Sequence, residues 1–535
     1  MRIKLYTVLF LIIYTLSACL EDKGNYIYQD INEVSVSDID KSKFYNRIAF
    51  VERLTIDPSI SNTLGNFNEN NYEYTWKLIP MGKDFRDVEE GEDFVVCKTK
   101  KIDIFVTHEP GDYQGFFIVK DKNTEVSWYT QFNLRVKSIT SEGWLVLCEK
   151  QGQPRMDIVF NSNADEDLVA LDIWRENHQE LGMPKKLFYN YSNFTGRTAC
   201  LMLTDKTTYH LDEKDLHAGE DNNLIWKFGI TPENVKVKGS GISLYSINNL
   251  WVIVNEKGEI YSLDRDITGG IFEFPINKID GKKTFEAAPF VGVNLDNASG
   301  MNGREGCVPA LLYDNTNKQF MVIRNNASYP SVITFSGKHL FDAKTGKDIV
   351  HMEPTKHGLI YSILRDPNSK QLFFYGIDLK AKYKEPVNWW DDPTYEEYNL
   401  QEYYGEVKGS EQEYATAFAC HHQFPYLFYL SNNKVYQFDM GNPNEEAKLV
   451  LELPGEDIRV LKFNPFVAWE KYEEWERLRT YQLIVGSNVE GKNESDCGVM
   501  RVYDVPNLMK PLVKKKEFKG LGKIVDITYK ERTKR

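Results

Sequence analysis

Lys523-Ile524-Val525-Asp526-Ile527-Thr528-Tyr529 reads as a strand that opens a sheet, yet no further strands follow it. At the other end of the same region, Gly143-Trp144-Leu145-Val146-Leu147 and Met156 to Phe160 read as second and third strands with no first. Joined, the two ends make one sheet. A strand contributed from each end closes a ring of sheets and leaves no open edge.

Between these ends the chain repeats triplets of short strands, and a repeat of this kind decides the fold. One triplet is Ile242–Ser246, Trp251–Asn255 and Glu259–Leu263, with Glu256-Lys257-Gly258 as a tight turn. Another is Val308–Tyr313, Gln319–Ile323 and Ser331–Phe335. A third is Thr416–Cys420, Tyr426–Leu430 and Lys434–Phe438, turning at Ser431-Asn432-Asn433. Weaker copies begin near Lys186, Leu359 and Ile458. First-strand starts near 186, 242, 308, 359, 416, 458 and 523 lie roughly 40 to 65 residues apart, the scale of propeller blades with loop insertions. Leu340 to Lys347 resembles a hairpin common in propellers, with Asp342 and Gly346 at turn positions. The expectation for 139–535 is a β-propeller of seven blades, with six or eight left open. The wide spacing and the split sheet argue against a sandwich array.

The first residues carry a different message. Arg2 and Lys4 precede an uncharged apolar run, Leu5 to Thr15, and then Leu16-Ser17-Ala18-Cys19. A basic start, a short apolar core and small residues before a cut are the marks of a secretory signal. The run is too short to cross a bilayer, which takes about 20 apolar residues. Leu-Ser-Ala-Cys resembles the lipobox of bacterial lipoproteins, which implies a signal peptide over 1–18 and lipidation of Cys19. Two or more acyl chains then give a stable anchor. Replacing Cys19 with Ala is expected to move the protein out of the membrane fraction. An Ala variant that still carries acyl chains would refute this.

Composition narrows the function classes. The chain has 535 residues, a formal charge of −13, 42% hydrophobic and 13% aromatic residues, with 31 Tyr and 30 Phe. Tyr and Phe favour strands. The acidic balance excludes a nucleic-acid binder, which needs basic patches. The six cysteines after Cys19 are scattered with no Cys-x-x-Cys pair, so they read as free thiols in strands rather than as a disulfide framework.

Residues 19–138 read as a β-sandwich, with short alternating runs between polar turns. Tyr72 to Trp76 alternates, with Trp76 placed to fill a core. Ile102, Ile104 and Val106 share a face, Pro110 to Tyr113 marks a turn, and Phe116–Val119 and Phe132–Val136 supply the last strands. Cys19-x-x-x-Lys23-Gly24-Asn25-Tyr26, Trp76, Pro110-Gly111-x-Tyr113, Asp121 and Phe132-x-Leu134-x-Val136 together resemble the PKD-like lipoproteins of Bacteroidetes. The resemblance extends into Gly143 to Leu147. It departs from better-known PKD domains in lacking a Gly-Asp-Gly turn after the tryptophan. It implies an immunoglobulin-like sandwich ahead of the propeller, an all-β chain, and a place on the outer membrane facing the cell exterior. Glu21-Asp22 behind Cys19 resembles the surface-export signal of that group.

No catalytic signature is present: no Gly-x-x-x-x-Gly-Lys-Ser/Thr, His-Glu-x-x-His or Gly-x-Ser-x-Gly. His421 and His422 are adjacent, and strand neighbours point to opposite faces, so they suit structure better than a shared metal. Asn163-x-Asp165-x-Asp167 lacks the glycine and distal glutamate of a calcium loop. Neither a metal nor a cofactor is expected. A helix is expected within Phe466 to Leu478, with Trp469, Tyr472 and Glu476 on one face.

The segment from Trp389 to Tyr404 is the densest candidate for recognition. Trp389, Trp390, Tyr395, Tyr398, Tyr403 and Tyr404 stand among five acids. Rings stack on a ligand at low entropy cost and acids orient it; alternatively the rings pack onto the outside of a blade. The resemblance implies a non-catalytic accessory to SusC/SusD-type nutrient uptake, binding an oligosaccharide or a peptide. A surface glycoside hydrolase or lyase, or a purely structural envelope scaffold, are the alternatives.

Overall fold

The computed structural model describes residues 32–531 apart from 50, 66, 83–93, 162–166, 176, 178, 192–197, 244–249, 265–269, 296–309, 325–326, 385–386, 389–393 and 465–472. The chain divides into two compact units, Met1–Lys137 and Ser138–Arg535. Both are built from strands.

In the first unit the main sheet runs in the order Phe44–Ile48, Ser127–Lys137, Gly111–Asp121, Tyr72–Pro80, Val95–Cys97. Only its first pair is parallel. Two strand pairs accompany it, Arg53–Ile56 with Ile102–Phe105 and Val34–Ser37 with Ser59–Asn62. Trp76 is fully buried between Phe117, at 4.3 Å, and Phe132, at 5.8 Å. Its indole N–H would be an unsatisfied donor in that core, and it donates to Thr99 O at 2.9 Å. Gly115 makes room for this packing, because a Cβ there would lie within 2.5 Å of the Phe132 ring. The run expected as a turn at Pro110 to Tyr113 becomes strand from Gly111 onward.

The second unit contains seven sheets of three or four antiparallel strands among the described residues. Sheet 1 joins Lys523–Lys530 to Gly143–Lys150, Gln153–Asn161 and Asp167–Ala170. Trp144 faces Tyr529 and Gly143 faces Lys530 across the closing pair, the pairing that the unmatched strands at the two ends required. Sheet 2 is Pro184–Tyr191, Thr198–Thr204 and Thr208–Leu211. Sheet 3 is Val237–Ile242, Leu250–Asn255 and Ile260–Asp264. Sheet 4 is Ala310–Asp314, Gln319–Ile323 and Ser331–Val332. Sheet 5 is Asp348–Pro354, Leu359–Arg365, Leu372–Asp378 and Leu400–Glu406. Sheet 6 is Ala417–Cys420, Tyr426–Ser431, Lys434–Asp439 and Lys448–Glu452. Sheet 7 is Glu456–Lys462, Gln482–Val489, Gly498–Asp504 and Val513–Leu521.

The central strands are apolar on both faces, and this dictates how the sheets pack. Along Ala310–Asp314, Ala310 and Leu312 enter a core with Val252 and Val254 of sheet 3. Leu311 and Tyr313 point the other way, into a core with Ile360, Leu364 and Tyr375 of sheet 5. Period-two alternation thus gives each such strand two buried faces, as in sheets covered on both sides. The same arrangement joins sheets 2 and 3, 5 and 6, and 6 and 7. Sheet 7 packs back onto sheet 1 through Ile484, Met500, Val146 and Ile527.

Three first strands begin earlier than the sequence suggests. In sheet 3 the strand is Val237–Ile242, not Ile242–Ser246. Its Gly239 and Gly241 depress strand propensity, but a Cβ at Gly239 would meet the Pro289 backbone at 2.8 Å and one at Gly241 would meet Val291 and Val293 at 3.0 Å. In sheet 4 an irregular segment precedes Ala310, with Ala288 N–H donating to Tyr313 O and Gly292 N–H to Leu311 O. Pro289 hides it from a strand reading. In sheet 5, Asp348–Pro354 comes before Leu359–Arg365 and is too polar to read as core. The expected hairpin at Leu340 to Lys347 is absent. That stretch runs along sheet 4 instead, with Phe320 N–H donating to Ala343 O and Thr345 N–H to Lys318 O, while Phe341 packs on Tyr375 at 4.8 Å. In the segment from 466 to 478, a short helix spans Glu474–Arg477, and Trp469 and Tyr472 lie outside the described residues.

Candidate functional site

The aromatic-rich segment separates into two structures. Ala381–Lys384 pairs with Thr394–Glu397 as a hairpin arm, with Tyr383 opposite Tyr395 in register. Trp389, Trp390 and the Tyr395 side chain lie outside the described residues. Tyr398 is half-buried, and its N–H donates to Lys380 O. Tyr403 and Tyr404 belong to the fourth strand of sheet 5 and turn to opposite faces. Tyr403 packs on Tyr361 at 6.0 Å, and Tyr404 on Tyr375 at 5.0 Å and Phe341 at 5.6 Å. Both rings pack on sheet 5, and Tyr404 remains exposed. Asn399 and Gln401, between Tyr398 and Tyr403, are buried, and Gln401 donates to Phe341 O and accepts from its N–H.

The adjacent histidines are buried and bind backbone. His422 Nδ1 accepts from Lys356 N–H at 2.7 Å, and His421 Nδ1 accepts from Gln423 and Phe424 N–H. Burial lowers the pKa of both, His421 to about 4. Asp167 pairs with Lys516 at 2.7 Å, while Asn163 and Asp165 lie outside the described residues. Cys97, Cys148, Cys200, Cys420 and Cys497 are free thiols; Cys19 and Cys307 lie outside the described residues.

A cavity of about 450 Å³ opens where the first strands of the sheets converge. Sheet 2 contributes Lys186 and Phe188, sheet 5 His351 and Glu353, sheet 7 Lys462, and sheet 1 Asp526. A smaller space of about 210 Å³ shares Lys186 and Phe188 and continues along Gly239, Gly241, Phe290 and Val291. The glycines of sheet 3 that pack so closely on 289–293 shape this second space.

The charges in the cavity are unequal in their partners. Asp526 accepts from Lys462 Nζ at 2.7 Å, Leu187 N–H at 2.9 Å and Ile527 N–H at 2.8 Å. It thereby ties the first strands of sheets 1, 2 and 7. Glu353 accepts from Cys420 N–H at 2.7 Å and lies 3.1 Å from His351 Nε2. Lys186 makes no ion pair with a carboxylate among the described residues. Its ammonium sits 4.7 Å over the Phe188 ring, a cation–π contact. Burial pushes its pKa down to about 8, with Lys462 and Lys238 adding to the fall and Asp526 opposing it. The side chain keeps some exposed surface, which faces the open cavity. A cation held over an aromatic ring in a concave space of mixed lining favours an anionic group of a ligand.

A local reading of the sequence misses this site because each sheet supplies only one short run of its lining. The signal that was available is polar residues inside otherwise apolar first strands: Lys185-Lys186, His351-x-Glu353, Arg459-x-x-Lys462 and Asp526.

Comparison with known proteins places the N-terminal part. Residues 19–182 match the PKD-like family. The PKD-like match runs through the sandwich unit, includes the three strands of sheet 1 from Gly143 to Ala170, and stops just before sheet 2 begins at Pro184. Comparison with curated proteins finds no match. Among solved structures, a quinonprotein alcohol dehydrogenase-like protein of Bacteroides thetaiotaomicron aligns at 12% identity with a TM-score of 0.37, over 90% of this chain and 96% of that one. An extracellular domain from the same organism aligns at 7% identity with a TM-score of 0.16, over 79% and 70% of the two chains.

Proposed function

We propose that this chain is a surface-exposed outer-membrane lipoprotein, anchored through Cys19, that binds a nutrient ligand without transforming it. It serves as an accessory to a SusC/SusD-type uptake system. The seven sheets form a seven-bladed propeller, and the cavity lies on its axis. The ligand is an oligosaccharide or peptide carrying a carboxylate, which Lys186 receives. The observation that carries this reading is the Lys186 ammonium, held in the cavity over an aromatic face and without a carboxylate ion-pair partner among the described residues. The PKD-like match over 19–182 and the lipobox at Cys19 support the surface placement. Glu353 and Asp526, the acids that reach the cavity beside Lys186, are each engaged by backbone N–H groups, which suits structure better than acid–base work.

Acidic and neutral oligosaccharides and peptides should be titrated into the protein by calorimetry. An acidic ligand is expected to bind, and Lys186→Met should weaken it by about tenfold or more, the range for a charged hydrogen bond of about 1.5–3 kcal/mol. Trp389→Ala with Trp390→Ala should change it less. A loss confined to the tryptophan pair would move the site to the hairpin arm. Turnover of the ligand that disappears on Glu353→Gln or Asp526→Asn would replace the binding role by an enzyme.

A further inference from the structure

We infer that His351, Glu353 and Cys420 form a binding site for a zinc-class divalent cation on the wall of the cavity. The three residues sit on neighbouring first strands, two on Asp348–Pro354 of sheet 5 and one at the end of Ala417–Cys420 of sheet 6. Strand periodicity puts His351 and Glu353 on one side of their strand. One imidazole nitrogen, one carboxylate oxygen and the Cys420 sulfur all lie within 4.8 Å of one another, the only group of its kind among the described residues. Tetrahedral zinc, with bonds of about 2.0–2.3 Å, holds such donors roughly 3.3–3.8 Å apart, so closing the site asks for an inward shift of about 1 Å.

The donors are also oriented. Glu353 Oε2 accepts the Cys420 N–H at 2.7 Å and lies 3.1 Å from His351 Nε2, which holds the carboxylate at the junction of the two strands. The His351 ring packs between Phe290, at 6.3 Å, and Phe418, at 5.8 Å, so its rotation is restricted. A mixed nitrogen, oxygen and sulfur set selects zinc or its close analogues over magnesium or calcium, which take oxygen donors. The other buried thiols lack this company. Cys148 Sγ, for example, contacts Asp157 and a backbone carbonyl. Three protein donors leave a fourth position. His351 and Glu353 line the cavity, so that position is available to a ligand there. The ion would also join sheets 5 and 6 at their innermost strands.

The inference does not depend on the anionic-ligand reading, because Lys186 is not among the donors. The test is a titration of the full chain, stripped of metal, with Co²⁺ as a spectroscopic stand-in for zinc. A thiolate-to-cobalt charge-transfer band at one equivalent is expected, and Zn²⁺ should displace it. Loss of a neighbour of a metal ligand typically weakens affinity 10–100-fold, so removing a ligand itself by Cys420→Ser or His351→Gln should weaken it by at least about 100-fold. Cys420→Ser should also abolish the band. Cys200→Ser, in a buried thiol of sheet 2, should leave it unchanged. Zn²⁺ should raise the melting temperature of the parent and not of His351→Gln. Absence of the band, or a band of equal strength in Cys420→Ser, overturns the site. If Cys420→Ser does not fold, His351→Gln decides: unchanged cobalt affinity in that variant overturns the site equally.

Discussion

Lys186→Met is expected to unfold later than the parent at pH 7, by about 1–3 kcal/mol, while losing the acidic ligand. The sign follows from protonation. The Lys186 ammonium has a pKa of about 8 in the folded protein against 10.5 in its ordinary state. Between those values the unfolded chain binds the proton and the folded chain does not, so the parent gains stability as pH rises from 8 to 10.5. Below pH 8 both states are charged and the folded protein carries the cost of partly desolvating the ammonium. A shift of this size corresponds to about 3 kcal/mol at most, and water in the cavity reduces it. Methionine fills similar space without charge. The measurement is denaturant unfolding of both proteins at pH 7 and pH 11. The variant should lead at pH 7 and draw level at pH 11. Lys185→Met, at an exposed neighbour, should track the parent throughout. A gap that persists at pH 11 would mean that methionine stabilises by packing rather than by removing a charge. Parent stability that is flat from pH 8 to 10.5 would mean that the ammonium is well hydrated.

The second large effect is expected on removing residue 523 and all that follow. This deletes Ile524, Ile527 and Tyr529, all buried against sheet 7 and sheet 1. Burial of each such side chain contributes about 1.5–3 kcal/mol, against a total stability of about 5–15 kcal/mol for a typical domain. It also bares the edge of Gly143–Lys150, which pairs with the deleted strand over its length, and strands Leu187 N–H and Lys462 without Asp526. The second unit should lose its cooperative transition and aggregate through the bared edge. Removing only 532–535 should leave the transition intact. Asp526→Ala should act in the same direction by about 1–3 kcal/mol, the range for buried donors left without an acceptor. A truncated chain that melts like the parent would show that the closing strand carries little of the fold.

The elements legible in the sequence are those whose turns and alternation coincide. Tyr426–Ser431 and Lys434–Asp439 are found where they were read, because Asn432 and Asn433 both take positive φ, 46° and 62°, in the tight turn between them. The closing pair was legible because one end offered an apolar strand with no strand after it and the other a strand pair lacking a first strand. The first strands were the hardest to place, and for a physical reason. They face a cavity on one side and crowd their neighbours on the other, so they carry glycine, proline and charge where a strand reading seeks Val and Ile. Gly239-Ser240-Gly241 and His351-Met352-Glu353-Pro354 are of this kind. The same cause hid the cavity, since its residues come from sheets far apart in sequence. The dense aromatics drew attention because they are contiguous; Tyr403 packs on Tyr361 within sheet 5, and Tyr404 packs on Tyr375 while staying exposed.

The pairing of Gly143–Lys150 with Lys523–Lys530 also sets an order of events at synthesis. Residue 143 emerges nearly four hundred residues before its partner, so sheet 1 waits with one side unsatisfied until residue 530 has been delivered. Contacts of such separation are slow to form. A chain cut short before 523 keeps that edge bare, a hallmark that proteases and chaperones recognise. The last strand therefore acts as an inspection step, admitting to the folded pool only chains that have been read through to it.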